Sequence, residues 1–143
     1  PDDIRFTVVL GATAPHLQAV IAAARSCPWP VEVLSGIDDM PRRMAEADLA
    51  IGAAGGTSWE RCCLGVPTLM VILAENQKSG AIALAATGAA VLIDASRPLI
   101  AQLQSAFDQL QASPGRQQMS IAASRVTDGR GTERLLQLME SPQ

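Results

Sequence analysis

Tyrosine is absent from this chain, and phenylalanine and tryptophan occur only twice each. Trp29 and Trp59 therefore read as packing residues rather than as base-stacking platforms. Charge is also scarce, at 17% of residues with a net charge of −3, and no cluster of Lys and Arg stands out. That balance leaves no electrostatic footprint for a nucleic-acid partner. Long apolar runs are missing as well: none reaches the ~18 residues that a membrane-spanning helix needs, and no basic-then-apolar signal sequence is seen. Histidine occurs once, at His16, and the cysteines are Cys27, Cys62 and Cys63. An odd count with two adjacent members makes a poor disulfide framework and has no metal-ligand spacing. The chain thus reads as reduced and cytoplasmic, and nothing in it calls for a metal or other cofactor. It also lacks an initiator methionine, starting at Pro1, which is expected of a piece of a longer protein.

What the chain has in quantity is aliphatic residue and alanine. Hydrophobic residues make up 48% of its 143 positions, enough for a single domain (1–143) with a substantial core. Five short apolar runs read as strands: Arg5 to Leu10, Val31 to Leu34, Leu49 to Ile51, Thr68 to Leu73 and Ala90 to Ile93. Helical patterns fall between them. One opens near Ala14-Pro15, a short one is capped by Asp39, and another follows Thr57. A further helix runs from Glu75 or Asn76 to Thr87, and three more follow Pro98, Ser113 and Gly131. Strands alternating with helices, through connections too long for hairpins, predict an α/β fold: a Rossmann-like parallel sheet flanked by helices. Ligands of such sheets bind at the carboxyl ends of the strands. Those ends are Gly11 to Thr13, Ser35 to Ile37, Gly52 to Ser58, Ala74 to Gln77, and Asp94.

The most informative stretch is Asp48-Leu-Ala-Ile-Gly-Ala-Ala-Gly-Gly-Thr-Ser-Trp-Glu60, which reads as strand, glycine-rich turn and helix. It is neither a Walker A loop nor a G-x-G-x-x-G fingerprint. Glycines between a strand and a helix suit an anionic ligand, and they suit a plain tight turn equally well. Thr57 reads as an N-cap with Glu60 three residues on, so Glu60 either closes a capping box or accepts hydrogen bonds from the vicinal hydroxyls of a ribose. Asn76 and Gln77 follow a buried strand, where they can cap a helix or meet a ligand. His16, at a helix start, is a surface histidine before it is a general base. Cys62 and Cys63 are packing residues before they are nucleophiles.

Gly36-Ile-Asp-Asp-Met40, Ala47 to Glu60, Leu64-Gly-Val-Pro67, Asn76-Gln77 and Asp128-Gly-Arg-Gly131 together resemble the carboxyl-terminal half of a GT-B-fold UDP-sugar protein. The chain looks most like the UDP-sugar hydrolases of pseudaminic acid biosynthesis, which release UDP and a free deoxy-diacetamido sugar. It is similar, more distantly, to the transferases that add N-acetylglucosamine to the peptidoglycan lipid precursor. The resemblance implies that Glu60 holds the ribose hydroxyls of UDP, and that Gly55, Gly56, Thr57 and Ser58 present amides and hydroxyls to the diphosphate. The Ile37 backbone would meet the uracil edge, and Asn76 and Gln77 would face the sugar or the phosphates.

It further implies that catalysis belongs to an amino-terminal domain absent from this chain, so no catalytic residue is assigned and little hydrolase activity is expected of this chain alone. The family's usual first strand in this domain is also missing, which would leave a sheet edge open to self-association. The leading expectation is the UDP-binding half of a hydrolase, in which water attacks the anomeric carbon and UDP leaves. A glycosyltransferase half with the same grip, or a non-catalytic binding or assembly module of this fold, are the alternatives.

Overall fold

A computed structural model describes residues 4–111 and 113–140, which fall into two compact units divided after Met40. In the first unit, β1 (Phe6–Leu10) leads through α1 (Leu17–Arg25) to β2 (Val31–Ser35). The two strands pair in parallel from Phe6 opposite Val31 to Leu10 opposite Ser35. Phe6 and Trp29 meet edge to face, with ring centroids 6.1 Å apart, which accounts for half of the chain's aromatic rings as packing. Helix α1 begins later than the Ala14-Pro15 signal predicts: the carbonyl of Gly11 accepts from the amide of Ala14, and a turn intervenes before Leu17.

The second unit carries most of the structure. After α2 (Met40–Ala45), which begins on the last residue of the first unit, come β3 (Ala50–Ala53), α3 (Thr57–Cys63) and β4 (Thr68–Val71). A single 3-10 turn (Glu75–Gln77) then leads into α4 (Lys78–Ala86) and β5 (Ala90–Ile93). Three helices close the chain: α5 (Leu99–Gln111), α6 (Ser113–Ser124) and α7 (Gly131–Glu140). The strands form a parallel sheet in the order β3-β4-β5, with Ala50, Thr68 and Ala90 in register. All five expected strands are therefore present, each parallel to the strand it pairs with, but they form a two-stranded and a three-stranded sheet rather than one.

The alternation of a strand sorts the core of the second unit into two faces. Met70, Ile72, Ala90 and Leu92 point to one side, against Cys62 of α3, Ala81 and Leu84 of α4, and Ala123 of α6. Leu69, Val71, Val91 and Ile93 point to the other, against Ala106 and Leu110 of α5 and Met119 of α6. A sheet covered on both faces explains why these strands read as continuous apolar runs. Alanine at the contacts on the first face lets α4 and α6 approach the sheet closely.

Helices α3 and α4 both end in a Schellman motif built on a glycine, Gly65 and Gly88 respectively. Gly65 has φ +66°; its amide donates to Cys62 O, and the next amide, of Val66, reaches back to Arg61 O. Gly88, at φ +78°, repeats the pattern with Ala85 O, while Ala89 donates to Leu84 O. The chain is thereby turned straight into β4 and β5, which fixes the register of the strands whose far ends build the site.

Candidate functional site

A cavity of about 460 Å³ opens in the second unit at the carboxyl ends of β3 and β4. Gly55, Gly56, Ser58 and Trp59 line it from the turn after β3, and Asn76, Gln77, Ser79 and Gly80 line it from the segment after β4. Met70, Ala81 and Leu84 form its floor. A second cavity of similar size, about 470 Å³, lies at the amino ends of the same strands, against Asp48, Val66, Pro67 and Arg116. In parallel α/β sheets the carboxyl ends are the binding ends, because the helices that follow the strands start there and present their first, unpaired amides. Position favours the first cavity, and so does the chemistry of its lining.

The turn after β3 departs from its predicted form in a telling way. Thr57 is not the N-cap. Gly56 holds that place with helical dihedrals (φ −53°, ψ −37°), and no side chain caps the helix. The capping box is absent, and Glu60 is exposed with no hydrogen-bond partner among the described residues. The structural alternative for that carboxylate therefore falls away, and its oxygens are available in the first turn of α3.

The glycines are not required by the turn either. Neither Gly55 nor Gly56 has a positive φ. A β-carbon at Gly56 would meet nothing within 4 Å, and one at Gly55 would meet only Gln77 Nε2, at 3.9 Å. The chain's own packing thus tolerates side chains at both positions, while the cavity they line would be narrowed by them. Backbone hydrogen bonding follows the same division. Ala54 donates to Val71 O, Ser58 to Gly55 O and Trp59 to Gly56 O. Among the described residues, nothing accepts from the amides of Gly55, Gly56 and Thr57. Three successive free donors beside a cavity form a surface suited to an acceptor-rich, anionic group.

Across the cavity, Gln77 is fixed by the amide of Leu73, which donates to its Oε1 at 3.2 Å, so that its Nε2 is turned towards Gly55. Asn76 is exposed in the 3-10 turn and its side chain bonds to no described residue. Neither amide caps α4, whose N-cap is Gln77 without a side-chain bond. Of the residues expected at the site, Gly55, Gly56, Ser58, Asn76 and Gln77 come together around one cavity. Thr57 and Glu60 flank it in the same helical turn. Ile37 belongs to the first unit, where it is half-buried just beyond β2.

Arg61 is a site residue for which the sequence alone suggested no role. It is only 6% exposed. Its Nη2 donates to Ala53 O at 2.9 Å and to Ser58 Oγ at 3.1 Å, and its Nη1 donates to Thr57 Oγ1 at 3.4 Å. The buried Nε has no partner. Ser58 is consequently turned inward, its hydroxyl engaged with Arg61 and Ala53 O rather than free to donate elsewhere. Burial lowers the guanidinium's pKa, against the opposing pull of Cys62 and Glu60. Two signals point to this residue: Gly52 inside a strand, which marks a close approach, and the spacing of Ser58, Arg61 and Cys62, which places them on one helical face.

Cys62 packs in the core as expected, and burial pushes its thiol pKa up, with Arg61 opposing; this is the reverse of an activated nucleophile. His16 is exposed just before α1 and caps nothing with its side chain. Among the described residues no group of His, Cys, Asp and Glu could hold a metal ion, and no helix is long and apolar enough to cross a membrane.

Parallel sheets flanked by helices, with a cavity at the strands' carboxyl ends, define a GT-B-type domain. Residues 5–135 match the glycosyltransferase family 28 C-terminal domain, and the chain belongs to that family. The spore coat polysaccharide biosynthesis protein SpsG of Bacillus subtilis is 34% identical over 89 residues, or 62% of this chain and 26% of that protein. An enzyme of Agrobacterium fabrum, UDP-N-acetylglucosamine–N-acetylmuramyl-(pentapeptide) pyrophosphoryl-undecaprenol N-acetylglucosamine transferase, is 30% identical over 128 residues, or 86% of this chain and 34% of that protein. The crystal structure of MurG from Acinetobacter baumannii matches with a TM-score of 0.81 at 25% identity, over 96% of this chain and 41% of that one. The chain thus spans 26% to 41% of the length of these proteins. None of the three is named as a hydrolase, so the expected hydrolase of pseudaminic acid biosynthesis finds no support in them, and the transferase alternative agrees with them better.

Proposed function

We propose that this chain is the nucleotide-sugar-binding half of a glycosyltransferase and that UDP or a UDP-sugar occupies the cavity after β3 and β4. The observation that carries the reading is the pair Gly55-Gly56. The fold does not need glycine there, yet both glycines line the cavity and, with Thr57, supply three successive amides that no described residue accepts from. A diphosphate, rich in acceptors and doubly anionic, matches those donors. Thr57 adds a hydroxyl whose proton is free, because its oxygen already accepts from Arg61. The unpartnered carboxylate of Glu60 suits the two ribose hydroxyls, and Asn76 and Gln77 suit the polar rim of a sugar.

The nucleotide grip alone does not choose between an alcohol and water as the acceptor of the sugar. Transfer is preferred over hydrolysis because the Agrobacterium relative is named a transferase. The catalytic groups are proposed to lie in a domain that this chain does not include. Isothermal titration of UDP, CDP and ADP into the chain tests the nucleotide: UDP is expected to bind most tightly, and equal affinity for all three would overturn the preference for a uracil base. Incubating the longer protein with a UDP-sugar tests the chemistry. UDP released only in the presence of an acceptor supports transfer, whereas a free sugar formed in stoichiometric amount without one returns the hydrolase.

A further inference from the structure

Arg61 carries a full charge into the protein interior with no carboxylate within ion-pair distance among the described residues. Its acceptors are a backbone carbonyl and two hydroxyls, and its Nε has none. Glu60 is its neighbour in the chain but is exposed and makes no hydrogen bond with it. Burying a charge against neutral acceptors only, with one N–H unmet, is costly, and a neutral side chain of similar length would brace the turn at lower cost. The position of the guanidinium gives the charge a use. It lies against Gly52, where a β-carbon would come within 2.7 Å of Nη1, and it holds Ala53 O and Ser58 Oγ from behind the wall of the cavity that Ser58 lines.

We propose that Arg61 is the positioning residue of the nucleotide site: it braces the turn from Ala53 to Ser58 so that the free amides face the cavity, and its buried charge is the counter-charge of the diphosphate. The inference rests on the nucleotide-sugar reading above and adds to it a residue that does not itself touch the ligand. A charge shielded from solvent acts over a longer range than an exposed one, because little water lies between it and the cavity to screen it. The arrangement also explains why Gly52 is glycine: any side chain there would push the guanidinium out of its seat.

A purely structural brace and a counter-charge differ in how their loss depends on the charge of the ligand. Uridine, UMP and UDP would be titrated into the parent chain and into Arg61→Met, Arg61→Lys and Gly52→Ala, with melting temperatures measured alongside. Arg61→Met is expected to weaken UDP by about tenfold, UMP by less and uridine by under about threefold. Arg61→Lys, which keeps the charge and loses the fork, should keep the ratio of UDP to uridine affinity close to the parent's. An equal loss for all three ligands in Arg61→Met would overturn the counter-charge and leave only a brace. Should Arg61→Met not fold, Gly52→Ala takes its place, since it displaces the same charge without removing it; a ratio unchanged from the parent would again overturn the proposal. A parent chain that binds neither uridine nor UDP would instead overturn the nucleotide reading itself.

Discussion

Gly52 and Arg61 occupy one volume: the space that a side chain at position 52 would need is filled by the guanidinium of residue 61, 2.7 Å from the place of the missing β-carbon. The strand that leads into the site and the helix that leaves it are locked together at this contact. A glycine in a strand interior usually weakens the strand. That cost is offset by the bond from Arg61 Nη2 to Ala53 O, which closes the turn between β3 and α3.

Gly52→Ala is therefore expected to destabilise the second unit, by about 1–3 kcal/mol as for other overpacked interiors. Chemical denaturation of parent and variant would measure it. A variant as stable as the parent would mean that the guanidinium moves aside freely and is not seated by Gly52.

Gly55→Ala and Gly56→Ala should behave in the opposite way. Both positions have room for a methyl group and neither has a positive φ, so stability should stay within about 1 kcal/mol of the parent. The β-carbons would protrude beside the free amides, and UDP affinity should fall by at least tenfold (about 1.4 kcal/mol). Melting temperature and calorimetric titration on the same samples separate the two effects. A variant that binds UDP as the parent does would show that these glycines do not serve to keep the amides open to a ligand.

Much of this was legible in the chain because local rules and tertiary structure agree. The strands are apolar runs because both faces of the second sheet are covered, and Gly65 and Gly88 end their helices because only glycine takes positive φ there without strain. The start of α3 is not legible in the same way. Thr57-x-x-Glu60 satisfies the capping-box pattern, while Gly56, already helical, extends the turn by one residue and takes the cap position. Pairing of five strands into two sheets is a non-local outcome that periodicity does not report. Arg61 was hidden for the same kind of reason. Its partner is a glycine nine positions earlier, and a charged residue between Glu60 and Cys62 looks like part of a solvated face until its helical angle is compared with that of Ser58.

Glu60→Gln tests the ribose role without the confusion a capping box would have brought. The carboxylate bonds to nothing within the described residues, so the substitution should alter stability by no more than about 0.5 kcal/mol. It should weaken UDP by roughly tenfold or more, and should weaken a UDP analogue lacking both ribose hydroxyls hardly at all. Equal losses for UDP and the analogue would count against the ribose contact.

The turn before α7 has its own pH dependence. Asp128 is paired with Arg134 and accepts from the Arg130 amide, and these contacts hold its carboxyl pKa down to about 2. A folded-state pKa below the unfolded value, about 3.9 for Asp, means a contribution to stability that is present above the unfolded value and is lost as pH falls through the folded one. Carboxyl chemical shifts should titrate near pH 2 in the parent and return towards the ordinary range in Arg134→Gln. An unchanged midpoint in that variant would show that the ion pair does not set the shift.

The two adjacent cysteines provide a check on the packing of α3 that needs no ligand. Cys62 sits in the core at 4% exposure with its thiol pKa raised by burial, whereas Cys63, on the next face of the helix, is exposed. Reaction requires a thiolate that the reagent can reach, and the two neighbours differ in both respects. With a maleimide under native conditions, Cys63 should be modified first, half-buried Cys27 more slowly, and Cys62 at a rate limited by opening of the second unit. Peptide mass spectrometry at successive times would resolve the three sites. Gly52→Ala, by loosening the contact between β3 and α3, should accelerate Cys62 while leaving Cys63 unchanged. If Cys62 were instead labelled as fast as Cys63 in the parent, α3 would not be packed on the sheet as described, and the seat of Arg61 would be lost with it.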